Sequence, residues 1–252
     1  MNHMACLLPD LRLDTARIAD LHQALVAALD DDARATWELT CQRLAEHPDG
    51  DTLALLSGRL RRQLGEQYVP GLHWRRGELG RALLLAQALE AQPEGAREAL
   101  LKRYFAWGDD LEKAALLKAL DWLDGHGICL DLAQQATRTN SSDVFAALAL
   151  DNPYAARFFP ERAFHQLMLK GVAMELDMRR VQGLETRRNG VLNQLVLDQL
   201  NERLAAGRSA LPGLAQLLAW PLLSPAQIAN LQAHARAGRL PPGWLPADFP
   251  RT

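Results

Sequence analysis

The sequence is poor in the features that announce a chemistry. Its three cysteines, Cys6, Cys41 and Cys129, are scattered and form no Cys-x-x-Cys pair. That speaks against a disulfide scaffold or a zinc site, and no metal is expected. Aromatic residues make up 6% of the chain, and Val, Ile and Thr are sparse beside Leu and Ala, a bias toward helix over strand. Charge of one sign is lacking too: 28 Lys and Arg face 30 Asp and Glu, for a net charge of −2. A nucleic-acid binder carries a basic footprint, so no nucleic-acid partner is expected. No apolar run approaches the roughly 20 residues needed to span a bilayer. "ALLLA" and "VFAALAL" have the lengths of core helices, which leaves at most peripheral membrane contact. The start, "MNHMACLLPDLRLD", has no basic residues followed by a long apolar stretch, so no signal peptide is expected and the location is read as cytoplasmic. Gly-rich phosphate loops, Gly-x-Ser-x-Gly elbows and His-Glu-x-x-His pairs are missing, and no cofactor is expected.

What is present fits a soluble globular chain: 48% apolar and 23% charged residues over 252 positions, enough for one all-helical domain spanning 1–252. Ile18, Leu21, Leu25 and Leu29 recur at spacings of three and four after the candidate cap Asp14, and Leu53, Leu56, Leu60 and Leu64 do the same further on. The pattern predicts helices at about 14–29, 33–46, 51–65, 77–91, 94–106, 109–124, 129–138, 142–151, 160–174, 190–206, 212–219 and 225–237. Short connections make most of them antiparallel neighbours. The fold class is therefore all-α: an array of helical hairpins, HEAT-like or α-solenoid, or an irregular helical bundle. The tail 238–252, "GRLPPGWLPADFPRT" from residue 238 on, reads as an extended, Pro-rich arm packed on the body.

Several polar groups stand out. His126 and Cys129 are three apart, but the glycines around them favour a turn over a metal site. Glu175 and Asp177 could pair as carboxylates, but without a matching second element a solvated helix end is the favoured reading. Arg59, Arg61, Arg62, Arg75, Arg76 and Arg81 form the strongest basic cluster, read as a solvated face or as a site for an anionic ligand, an acidic partner or a lipid headgroup. His73 and Trp74 lie inside it, the latter suited to a core anchor. Finally, "RTNSSDVFAALALDNPY" at 138–154 has a polar cluster at each end of one apolar helix. A ten-residue helix is about 15 Å long, so the two clusters cannot meet along it. Tracing the helices back and forth gathers Arg138, Asn140, Lys170, Arg187 and Asn189 at one level. Asp151, Asn152, Tyr154, Arg203 and Arg208 gather at the other, with His165 and Gln166 between. Both groups could be structural, as capped loops and an Asp–Arg pair; of the two, the first better suits ligand contact.

"RTN…VFAALALDNPYAARFFPERAFHQLMLK", "GLETRRN" and "NERLAAGR" together resemble the EboA family, strongly over about 138–208 and plausibly from about 53. The family pattern falls on Arg138, Thr139 and Asn140; on Asp151, Asn152, Pro153 and Tyr154; and on Gln166, Leu169 and Lys170. It continues on Gly183, Leu184, Glu185, Arg187 and Asn189, then on Glu202, Arg203, Gly207 and Arg208. Position 165 departs from it, with His where Asn is expected. The resemblance implies a gene cluster whose other products resemble a UbiA-type prenyltransferase, a TatD-like hydrolase, a sugar-phosphate cyclase and a xylose-isomerase-like barrel. Such clusters are linked to making or trafficking a secreted small metabolite. The expected function is binding of a pathway intermediate, or of another protein of the cluster, with catalysis less favoured. Ligand contact would fall on Arg138, Thr139, Asn140, Gln166, Lys170, Arg187 and Asn189. The alternative is a cofactor-independent enzyme acting on a polar or phosphorylated, cyclitol-like intermediate. No general base stands beside those residues in the sequence pattern.

Overall fold

Aspartates start the first helices. In the computed structural model, which describes residues 10–250, Asp14 caps α1 (Thr15–Ala28) by accepting from the Arg17 N–H, and Asp30 caps α2 (Asp31–Glu46) in the same way. Asp49 takes two backbone N–H groups at the start of α3 (Gly50–Leu64). Each side chain satisfies donors that the first helical turn leaves without partners. α4 (Arg76–Glu90), α5 (Glu94–Trp107), α6 (Asp110–Leu123) and α7 (Leu130–Ala136) follow, and α8 (Ser142–Ala149) carries the apolar run "VFAALA". The chain then forms α9 (Tyr154–Phe158), α10 (Glu161–Ala173), α11 (Leu184–Arg187), α12 (Gly190–Ala205), α13 (Pro212–Leu217) and α14 (Pro225–Arg236). The fold is all-helical, and the described residues include no strand, only one isolated bridge between Tyr68 and Arg75. No helix among them is long and apolar enough to cross a membrane.

Twelve of these fourteen helices lie where the apolar periodicity predicts them. The two others, α9 and α11, have five and four residues, too short to show a helical period.

Two compact units divide the chain, Met1–Leu148 and Ala149–Thr252. In the first, α4 is the hub. It packs on α1, α2, α3, α5 and α6, and its residues from Leu79 to Ala86 are all buried. A stretch buried around its whole circumference, Arg81 included, belongs in a core, and the hub arrangement is that of an irregular bundle. Gly77 and Gly80 let α4 approach α3 closely: a Cβ at Gly77 would lie 2.9 Å from the Arg61 Cα, and one at Gly80 2.7 Å from a methyl of Leu64. Trp74 is buried against Trp122, their ring centroids 6.3 Å apart, so the core-anchor reading holds.

In the second unit, α10, α12 and α13 pack together with the short 3-10 turn Met178–Arg180. Asn193 of α12 is fully buried and exchanges two hydrogen bonds with the backbone of Ala219, at 3.0 and 2.8 Å. The Pro-rich tail is anchored by its aromatics. Trp244 is buried and donates its indole N–H to the Leu211 carbonyl at 3.0 Å, while Trp220 meets Trp244 and Phe249 edge-on at 6.1 and 5.8 Å.

Candidate functional site

In the first unit, Arg138 and Asn140 are exposed, and their side chains have no partner among the described residues. Thr139 Oγ1 accepts the Ser141 N–H at 3.1 Å, folding the entry to α8.

The second unit holds the rest. Asp151 adopts a positive φ of 53°, and its backbone N–H donates to the Arg180 carbonyl at 2.9 Å. That bond brings the Arg180 guanidinium onto the Asp151 carboxylate, with Nε donating at 3.1 Å. The partner of Asp151 is thus Arg180, whereas the sequence pointed to Arg203 or Arg208. Arg203 Nε instead donates to the Ser209 carbonyl at 3.1 Å, and the Arg208 N–H reaches back to the Arg203 carbonyl at 2.9 Å across Gly207, whose φ is +70°. "ERLAAGR" is therefore a helix stop of the Schellman type at the end of α12. Asn152 Oδ1 accepts the Tyr154 N–H at 3.0 Å, and the buried Tyr154 ring packs 4.8 Å from Phe158.

"GLETRRN", which falls between the helices predicted at 160–174 and 190–206, makes a one-turn helix that acts as a clasp. Gly183 has a φ of +74°, and a Cβ there would fall 2.5 Å from that of Ala156. Only glycine meets both demands. Arg187 donates to the carbonyls of Ala156 and Phe159 at 2.7 and 2.9 Å while its guanidinium lies 4.5 Å from the centre of the Phe164 ring. Asn189 caps α12 by accepting from Leu192 at 2.9 Å, and its amide donates to Glu161 at 3.2 Å. Both residues thus hold the unit's own backbone, a use that the sequence does not separate from ligand binding.

α10 places Gln166 on its exposed side, and its side chain has no partner among the described residues. Lys170 follows one turn later, half-buried. His165 points inward, is 2% exposed, and its Nε2 is buried without a hydrogen-bond partner. Burial holds its pKa below the ordinary histidine value; Glu161 pulls upward and Arg187 pushes further down. An unfolded chain binds protons at this position more readily than the folded one, so His165 removes stability as pH falls from above its unfolded pKa through its folded one. His234, likewise depressed by burial, adds to the same slope. The expected outcome is that His165→Asn flattens the loss of stability between about pH 7 and pH 5. Urea midpoints at the two pH values check it, and equal slopes for the two proteins would refute it.

The remaining reactive groups are held in check. Burial pushes the Cys41 thiol up to about 12, and Cys129 is raised by burial and by Asp124, whose carboxylate takes the Ile128 and Cys129 N–H groups. Asp177 is held by both sides of the Arg179 guanidinium at 2.8 Å, which lowers its pKa and leaves it tied to Arg179 rather than paired with Glu175. Among the described residues, no three His, Cys, Asp or Glu side chains are grouped to hold a metal.

The residues 52–219 match the family model described as "Metabolite traffic protein EboA", two thirds of the chain including every motif just placed. The chain belongs to the EboA family. Membership implies a role in metabolite traffic. The matched span begins inside α3 and ends just after α13, so α1, α2, α14 and the Trp244–Phe249 arm lie outside it. No curated protein and no solved structure matches the chain. Within the EboA motifs, the structural and the available side chains now separate: Asp151, Asn152, Arg187, Asn189 and Arg203 are engaged in the fold, while Arg138, Asn140 and Gln166 are not.

Proposed function

We propose that the protein is a helical carrier or adaptor in metabolite traffic that binds a polar pathway intermediate without transforming it. The observation behind this reading is the division of labour among the EboA motif residues. The clasp "GLETRRN" and the helix stop "ERLAAGR" secure the fold. Arg138, Asn140 and Gln166 keep their polar ends for another molecule. On the first unit, the guanidinium of Arg138 and the amide of Asn140 suit a ligand with an anionic group and hydroxyls, such as a phosphorylated or cyclitol-like compound. On the second unit, Gln166 stands on the exposed side of α10, while Arg187 and Asn189 fix the clasp.

Incubating the purified protein with extract of a strain lacking it, then following metabolites by mass spectrometry, tests the reading. The expected result is a compound retained by the protein and recovered unchanged, with retention reduced at least about tenfold by Arg138→Ala combined with Asn140→Ala. Turnover of any compound would establish the enzymatic alternative instead.

A further inference from the structure

The outer side of α3 is unlike the rest of the surface. Leu53, Leu56, Leu60 and Leu64 face the core, which turns Leu55, Gly58, Arg59 and Arg62 outward along one strip. Leu55 is 57% exposed, and a Cβ at Gly58 would meet nothing within 4 Å. Beside the strip stands Trp107, at the end of α5 and 73% exposed; it shares the walls of a small cleft with Ala54, Leu53 and Arg103. Arg103 covers one ring face at 4.3 Å and is itself neutralised by Asp51. Beyond the far end of α3, Tyr68 is 60% exposed with Arg75 over its ring at 5.4 Å.

Toward the C-terminal end of α3 the charge is one-sided, whereas the Trp107 end carries the exposed Asp51, Asp109 and Asp110. Arg59 and Arg62 have neither a hydrogen bond nor an ion pair among the described residues. Arg61 and Arg75 share a single carboxylate, Glu66, at 2.5 and 2.9 Å, and together they hold it below the usual carboxylate range. Four arginines against one glutamate make a basic patch on a chain whose net charge is −2. Arg81, grouped with them in sequence, is 4% exposed and belongs to the core instead.

We propose that the outer strip of α3, with Trp107 and Tyr68 at its two ends, is a docking surface for an anionic lipid bilayer. A 15-residue helix is about 22 Å long and can lie flat in the headgroup region. Exposed Trp and Tyr rings suit that depth, and Leu55 reaches the acyl boundary. The arginine stems lie along apolar surface while their heads meet lipid phosphates. An acidic protein helix would need a continuous apolar seam, and Gly58 interrupts this one. The surface is independent of the ligand-binding residues proposed above.

Co-sedimentation of the full chain with vesicles provides the test. Binding is expected to equimolar phosphatidylcholine–phosphatidylglycerol vesicles and not to phosphatidylcholine alone, and it should weaken as salt is raised. Each arginine near an anionic surface contributes about fivefold, so Arg59→Gln with Arg62→Gln should lower the partition roughly 25-fold. Brominated lipid should quench tryptophan emission in the wild type and much less in Trp107→Phe. Failure to bind either vesicle overturns the proposal. So does unchanged binding by a double variant that melts like the wild type. Loss of an acidic protein partner in that variant, with no vesicle binding by the wild type, would assign the patch to a protein instead.

Discussion

Arg187→Ala is expected to destabilise the second unit by roughly 2–4 kcal/mol, although Arg187 is only half-buried and lies in a motif read from sequence as a ligand contact. The guanidinium bridges the carbonyls of Ala156 and Phe159, which sit at the end of α9, to the α11 turn, and its flat face rests on Phe164 of α10. Removing it leaves two carbonyls without a donor and uncovers an aromatic ring. Arg187→Lys should recover less than half of the loss, because a lysine carries one point charge where two parallel N–H groups are needed. Urea unfolding followed by circular dichroism measures both variants. If Arg187→Ala unfolds at the wild-type midpoint while metabolite retention collapses, Arg187 is a ligand residue and the clasp reading is wrong.

The second large effect is expected at the contact between α3 and α4. Gly77→Ala places a methyl group 2.9 Å from the Arg61 Cα, 3.2 Å from the Gly65 carbonyl oxygen and 3.3 Å from that of Leu60. All three atoms are backbone, so no rotamer change relieves the clash and α4 must move as a body. Because α4 packs on five neighbours, the expected cost is about 2–3 kcal/mol, despite the better helix propensity of alanine. Gly58→Ala provides the contrast: its Cβ would meet nothing within 4 Å, and a gain of about 0.5–1 kcal/mol is expected. Equal effects at the two positions, measured by urea unfolding, would refute the close-packing account.

The helices were legible because their apolar residues recur at three and four and their starts carry the residues that cap them. Asp14, Asp30, Asp49 and Asp109 all accept backbone N–H groups at the first turns of their helices. α9 and α11 were not legible: one turn is too short to display a period, and each is held by tertiary contacts, α11 by Arg187 and by the approach of Gly183 to Ala156. The motifs could be located in sequence but their work could not be assigned, since an arginine donating to a carbonyl and one waiting for a phosphate look the same as letters. Arg81 shows the same limit within a single cluster. Arg59, Arg61, Arg62 and Arg75 are exposed, whereas the place of Arg81 on the hub helix buries it.

By itself, the sequence determined the all-helical class, nearly every helix, and membership of the EboA family, because these depend on local periodicity, caps and motif order. Only the tertiary structure decided which motif residues hold the chain together and which remain available. That division depends on partners far apart in sequence: Arg180 rather than Arg203 beside Asp151, Ala156 and Phe159 beneath Arg187, and Ala219 against Asn193. Hydrogen bonds of this kind form only once the backbone carbonyls they use have been brought into place by packing.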